Sequence, residues 1–134
     1  MRKQVIIESI IGNLRIVEKV IDSVTNEIGI NQENYGKVLV SALEAVNNAI
    51  IHGNKSDPSK KVDIEITFIK KQLKIKVTDE GPGFKPESVP DPTEPKNLEA
   101  LNGRGIFLMS RLADDIKFSK KGNSVKMTFK NIGD

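Results

Sequence analysis

The sequence predicts an α+β two-layer sandwich, a mainly antiparallel mixed sheet covered on one face by three helices. Three observations carry this expectation. Apolar residues alternate with polar ones over Val62–Phe68, Leu73–Val77 and Val125–Phe129, the period of strands with one buried face. Segments 13–28 and 32–52 repeat apolar residues at helical spacing instead. Neighbouring strands are joined by turns too short for a crossover, so they run antiparallel and their common apolar face needs a helical cover.

Residues 4–9 (Gln-Val-Ile-Ile-Glu-Ser) read as a short β-branched strand. Helix 13–28 carries Leu14, Val17, Val20, Ile21, Val24 and Ile28 on one side, and Gly29 ends it. Asn31 is a good N-cap for the next helix, 32–52. There Val38, Leu39, Ala42, Leu43, Val46, Ala49 and Ile50 form a broad apolar face. Glu44, Asn48 and His52 lie four residues apart on the opposite side, with Ser41 among them. A polar loop, 55–61, leads to the two alternating strands, which Lys70-Lys71-Gln72 joins into a hairpin. Segment 79–104 differs, holding five of the six prolines (Pro82, Pro86, Pro90, Pro92 and Pro95). Long loops in compact domains are usually functional or disordered. A helix over 105–113 and strands near 115–119 and 124–130 close the chain, with the turn Lys120-Lys121-Gly122-Asn123 between the strands. The 134 residues suit one domain, 1–134, and contain no internal repeat.

Composition removes several chemistries. No cysteine means no disulfide framework, zinc-thiolate site or thiol nucleophile, and a single histidine, His52, rules out a multi-histidine metal site. The 21 Lys+Arg against 18 Asp+Glu leave a net charge of +3, too small to argue for nucleic acid. The apolar run Val5-Ile6-Ile7 is too short for a leader's core, and no later run spans a bilayer. The expectation is a soluble, cytoplasmic protein with no direct nucleic-acid or membrane partner.

Three features carry candidate chemistry. Asp79 continues the inward phase of Leu73, Ile75 and Val77, so a carboxylate points at the buried face. It must be satisfied there, by a ligand's amino group or by backbone amides of the turn Asp79-Glu80-Gly81-Pro82-Gly83. Gly103-Arg104-Gly105 opens a helix, where free N–H groups favour phosphate, or simply ends a loop. Glu44 and Asn48, one helical turn apart, can converge on one site or form a solvated stripe. The carboxylate suits work on a hydroxyl, and the carboxamide oxygen suits Mg²⁺.

Together these segments resemble the GHKL ATPase/kinase superfamily over nearly the whole chain. Ser41–Gly53 (SALEAVNNAIIHG) resembles its N box, Asp79–Phe84 (DEGPGF) its first glycine box, and Gly103–Met109 (GRGIFLM) its second. Size, the His52-Gly53 pair and the short inter-box loop are most similar to bacterial anti-sigma factor serine/threonine kinases. The resemblance implies a Bergerat-type ATP-binding fold using ATP and Mg²⁺. It implies Glu44 as the general base or orienting carboxylate, Asn48 as the Mg²⁺ ligand and Asp79 as receiver of the adenine amino group. Gly81 and Gly83 then flank adenine, Gly103 and Gly105 contact phosphates, Arg104 clamps a phosphate, and 84–102 form an ATP lid. The implied activity is phosphorylation of a serine or threonine on an anti-sigma factor antagonist, with a sigma factor as second partner and a homodimer as the assembly. Two other readings are a non-catalytic ATP-gated protein-binding module and a detached histidine-kinase ATPase domain. The latter lacks its phosphoacceptor helix pair here.

Overall fold

The structure, a computed structural model, describes residues 1–81, 104–119 and 121–132. Strand β1 (Arg2–Glu8) leads through a single 3-10 turn (Ile11–Asn13) into α1 (Leu14–Ile28) and α2 (Gln32–Asn48). A π-helical turn (Ala49–Gly53) extends α2, and the hairpin β2 (Lys61–Ile69) and β3 (Gln72–Thr78) follows. Helix α3 (Arg104–Leu112) and strands β4 (Asp115–Phe118) and β5 (Ser124–Phe129) come last. The five strands lie in the order β1-β2-β3-β5-β4. Every pairing among the described residues is antiparallel, so the mixed component expected of the sheet is not found there.

The local signals act as their chemistry requires. Gly29 takes a left-handed conformation (φ 70°), its N–H donates to Asn26 O and that of Ile30 to Thr25 O, which satisfies the last carbonyls of α1. Asn31 caps α2 by accepting the Asn34 N–H at 2.8 Å. Val62, Ile64 and Ile66 of β2, Leu73, Ile75 and Val77 of β3, and Met127 and Phe129 of β5 are buried as their alternation demands. They join Val17, Ile21 and Val24 of α1, Val38, Ala42 and Val46 of α2, and Met109 of α3 in one cluster. Each of the larger of these side chains contributes about 1.5–3 kcal/mol when fully buried, so the sheet–helix interface dominates stability. Helix α2 is central to it, packing against α1, α3 and β3. No helix among the described residues is long and apolar enough to cross a membrane.

The β2–β3 turn carries strain. Lys70 and Lys71 both have positive φ (52° and 62°), the geometry of a two-residue type I′ turn that favours Asn-Gly. Lysine pays a steric penalty there that asparagine and glycine do not. Lys70→Asn combined with Lys71→Gly is expected to stabilise the fold by about 1–2 kcal/mol, read as a raised midpoint in urea at unchanged slope.

Candidate functional site

Ser41, Glu44 and Asn48 fall at i, i+3 and i+7 along α2, which puts them on one face. Glu44 and Asn48 are half-buried. Ser41 is wholly buried, and among the described residues its hydroxyl has no hydrogen-bond partner. Such an orphan group lowers stability. Ser41→Ala is therefore expected to be neutral or to stabilise by up to about 1 kcal/mol, measured by thermal unfolding.

The α-helix stops four residues short of the expected boundary at 52. From Ala49 it widens into the π turn, in which the Asn54 N–H reaches back five residues to Ala49 O at 2.8 Å. Single π turns within helices are frequently found at functional sites. This one changes the helical period before His52, which is exposed where Glu44 and Asn48 are half-buried. The same turn carries Gly53 against the residue that follows β3.

That residue is Asp79. Its backbone extends the pairing of β3 with β5, the Asp79 N–H donating to Asn123 O at 2.9 Å and the Asn123 side-chain amide donating to Asp79 O at 3.0 Å. The half-buried carboxylate accepts the Gly81 N–H on Oδ1 at 2.7 Å. Among the described residues Oδ2 accepts no hydrogen bond, so the Gly81 amide satisfies only one of the two carboxylate oxygens there. Burial pushes the Asp79 carboxyl above its ordinary value, while the Gly81 amide and the charges of Lys121 and Lys60 oppose that shift.

Two glycines leave the space in which the carboxylate sits. A Cβ on Gly53 would stand 2.7 Å from Asp79 Oδ1 and closer still to Oδ2. A Cβ on Gly81 would overlap the Gly53 carbonyl oxygen and stand 3.0 Å from Asp79 Oδ1. The cradle thus exists because neither position bears a side chain. Overpacking of this kind costs about 1–3 kcal/mol, and the displaced group is a short aspartate with little freedom to yield. Gly53→Ala is expected to weaken any ligand held by Asp79 by roughly 5–150-fold. Calorimetric titration checks this; an unchanged dissociation constant contradicts the cradle.

The structure therefore brings Asp79 and Gly81 to the C-terminal end of the helix that bears Glu44 and Asn48. Arg104 and Gly105 open α3, the helix packed against α2. Gly83, Gly103 and the proposed lid, 84–102, lie outside the described residues. Among the described residues no group of three or more His, Asp or Glu side chains is placed to hold a metal. The donor set fits instead a hard cation that takes one oxygen from Asn48 and the rest from phosphates and water. Sequence reasoning missed Gly53, whose role rests on contact with a residue 26 positions later, although the small residue after His52 was a signal. It also missed Asn54, whose side chain holds the Asp79 turn from within the core.

Comparison with known proteins identifies the family. The sequence pattern of the histidine kinase-like ATPase domain matches residues 7–129. The chain is 26% identical over 120 residues to a serine-protein kinase RsbW of Oceanobacillus iheyensis, covering 85% of this chain and 76% of that protein. It is 27% identical over 115 residues to the RsbW of Listeria monocytogenes, covering 81% and 73%. An anti-sigma F factor of Clostridium perfringens is 33% identical over 103 residues, covering 73% and 72%. A crystal structure of the RsbU and RsbW domains of a Mycobacterium tuberculosis protein matches the fold with a TM-score of 0.70 at 14% identity, covering 97% of this chain. The chain spans about a third (32%) of that longer protein. The chain belongs to the histidine kinase-like ATPase domain family, on the branch of its anti-sigma factor serine kinases.

Proposed function

We propose that this chain is a single ATP-binding kinase domain that transfers the γ-phosphoryl group of ATP to a serine or threonine of an anti-sigma factor antagonist, and so regulates a sigma factor in the cytoplasm. The observation that carries the proposal is the Asp79 carboxylate, half-buried in a cradle free of side chains and with one oxygen unmatched among the described residues. Such an acceptor fits the exocyclic amino group of adenine. Gly81 and Gly83 let the backbone approach the base closely. Gly103 and Gly105 do the same for phosphates at the start of α3, with Arg104 as a clamp.

Asn48 would hold Mg²⁺ through its carboxamide oxygen, and the ion neutralises phosphate charge when bound. Glu44, one turn earlier on α2, would align the acceptor hydroxyl and take its proton as the oxygen attacks the γ-phosphorus and ADP leaves. The relatives' names support a serine acceptor and a sigma-factor pathway. Homodimeric assembly rests on the family resemblance alone.

The test is capture of partners on the tagged chain with Mg-ATP, followed by mass spectrometry. The expected result is a small protein bearing one new phosphorylated serine or threonine. Tight Mg-ATP binding with no transfer to any captured protein would replace this reading with that of an ATP-gated binding module.

A further inference from the structure

The loop after the π turn contains a side chain that the proposed chemistry does not use. Asn54 is 0% exposed, and both of its side-chain donors and its side-chain oxygen are engaged. Its Nδ2 donates to Ser9 Oγ at 2.8 Å and to Lys61 O at 3.0 Å, and its Oδ1 accepts the Glu80 N–H at 2.8 Å. Ser9 is 1% exposed and donates in turn to Lys60 O at 2.7 Å. The Glu80 carboxylate accepts the Lys61 N–H. One carboxamide therefore ties together the end of β1, the π turn, the start of β2 and the turn after β3.

Its place beside the cradle gives this network a consequence. Asn54 directly follows Gly53, whose lack of a side chain admits the Asp79 carboxylate. It also fixes the amide that joins Asp79 to Glu80, and the next amide, of Gly81, is the one bonded to Asp79 Oδ1. Both walls of the cradle are thus anchored to the same side chain. Buried networks of this type hold geometry tightly only while every member is satisfied.

We infer that Asn54, supported by Ser9, is a positioning residue for base recognition: it holds the Asp79 turn against Gly53 and so sets the preference for an amino-bearing purine over an oxo-bearing one. The inference rests on the reading of Asp79 as the base acceptor. Asn54 touches no nucleotide itself. Its removal loosens the aim of Asp79, which lowers affinity for ATP and leaves the weaker, phosphate-driven affinity for GTP nearly unchanged.

The test measures dissociation constants for Mg-ATP and Mg-GTP on wild type, Asn54→Ala, Ser9→Ala, Asp79→Asn and the core variant Ile75→Val. Titrations are run well below each variant's unfolding midpoint. For Asn54→Ala the ATP-over-GTP preference is expected to fall by about tenfold or more, the scale set by unpairing buried polar groups. For Ser9→Ala the expected fall is about two- to fivefold, because the two bonds of the Ser9 hydroxyl are lost while those from Asn54 to Lys61 O and Glu80 N–H remain. Ile75→Val lowers the unfolding midpoint without changing the preference. A preference unchanged in Asn54→Ala overturns the inference, as does an equal fall in Ile75→Val. If Asn54→Ala does not fold, an unchanged preference in Ser9→Ala overturns it. Wild type that binds no ATP, or Asp79→Asn that keeps the full preference, overturns the underlying reading as well. Asp79→Asn losing the preference while Asn54→Ala and Ser9→Ala retain it overturns the inference alone.

Discussion

Glu44→Ala is expected to lower phosphoryl transfer to the partner's serine or threonine by about 10²–10⁴-fold, the usual contribution of a positioned acid or base. ATP affinity is expected to stay within about threefold of wild type, because uniform binding and transition-state contacts are separable. The split follows from where Glu44 stands. It lies on α2, one turn before Asn48 and nine residues before Gly53, outside the bonds that hold the Asp79 turn. Its half-exposed side chain supports no part of the apolar cluster. Transfer assayed with labelled γ-phosphate and the captured acceptor, beside titration of Mg-ATP, separates the two effects. Wild-type transfer in the variant contradicts the assigned role, and equal losses in binding and transfer reassign Glu44 to holding nucleotide.

Asp79→Asn has opposite expected effects on binding and on stability. An asparagine that keeps the Gly81 N–H on Oδ1 places its NH₂ where Oδ2 stood, so two donors face one another when adenine enters. Sites built around a hydrogen bond discriminate strongly against the wrong partner, and ATP affinity is expected to fall by about 100-fold or more. The free protein, however, no longer buries a charge. Because burial raises the folded-state value of Asp79, the folded chain holds this proton more tightly than the unfolded chain. That contribution to stability is fully present below the unfolded value, about 3.9, and is lost as pH rises through the higher folded value. Wild type is therefore expected to lose stability relative to Asp79→Asn as pH rises from about 4 toward neutrality. Urea unfolding of both proteins across that window gives the comparison; parallel curves would show that burial does not govern this carboxylate.

Much of the fold was legible because its signals are local. The alternation through Val62–Phe68 and Leu73–Val77, the cap at Asn31 and the stop at Gly29 depend on neighbours within a few residues. The inward direction of Asp79 was legible for the same reason, as the next step in the phase of Val77. The end of α2 was not. Apolar spacing runs on through Ile50, and nothing local announces a π turn whose shape fits Gly53 to a carboxylate on another element. Asn54 was illegible in the same way. An asparagine after His-Gly reads as an ordinary loop residue, while its partners Ser9 and Glu80 lie 45 and 26 positions away. The lysine pair at the hairpin turn is the converse case, since composition there misleads about geometry.

The central claim is that the Asp79 cradle recognises the base of ATP, and isothermal titration of Mg-ATP into wild type and Asp79→Asn tests it most directly. Saturable binding by wild type at a one-to-one ratio, reduced by about 100-fold or more in the folded variant, is the result the cradle predicts. Equal affinity in the two proteins, or no binding by wild type, would contradict it.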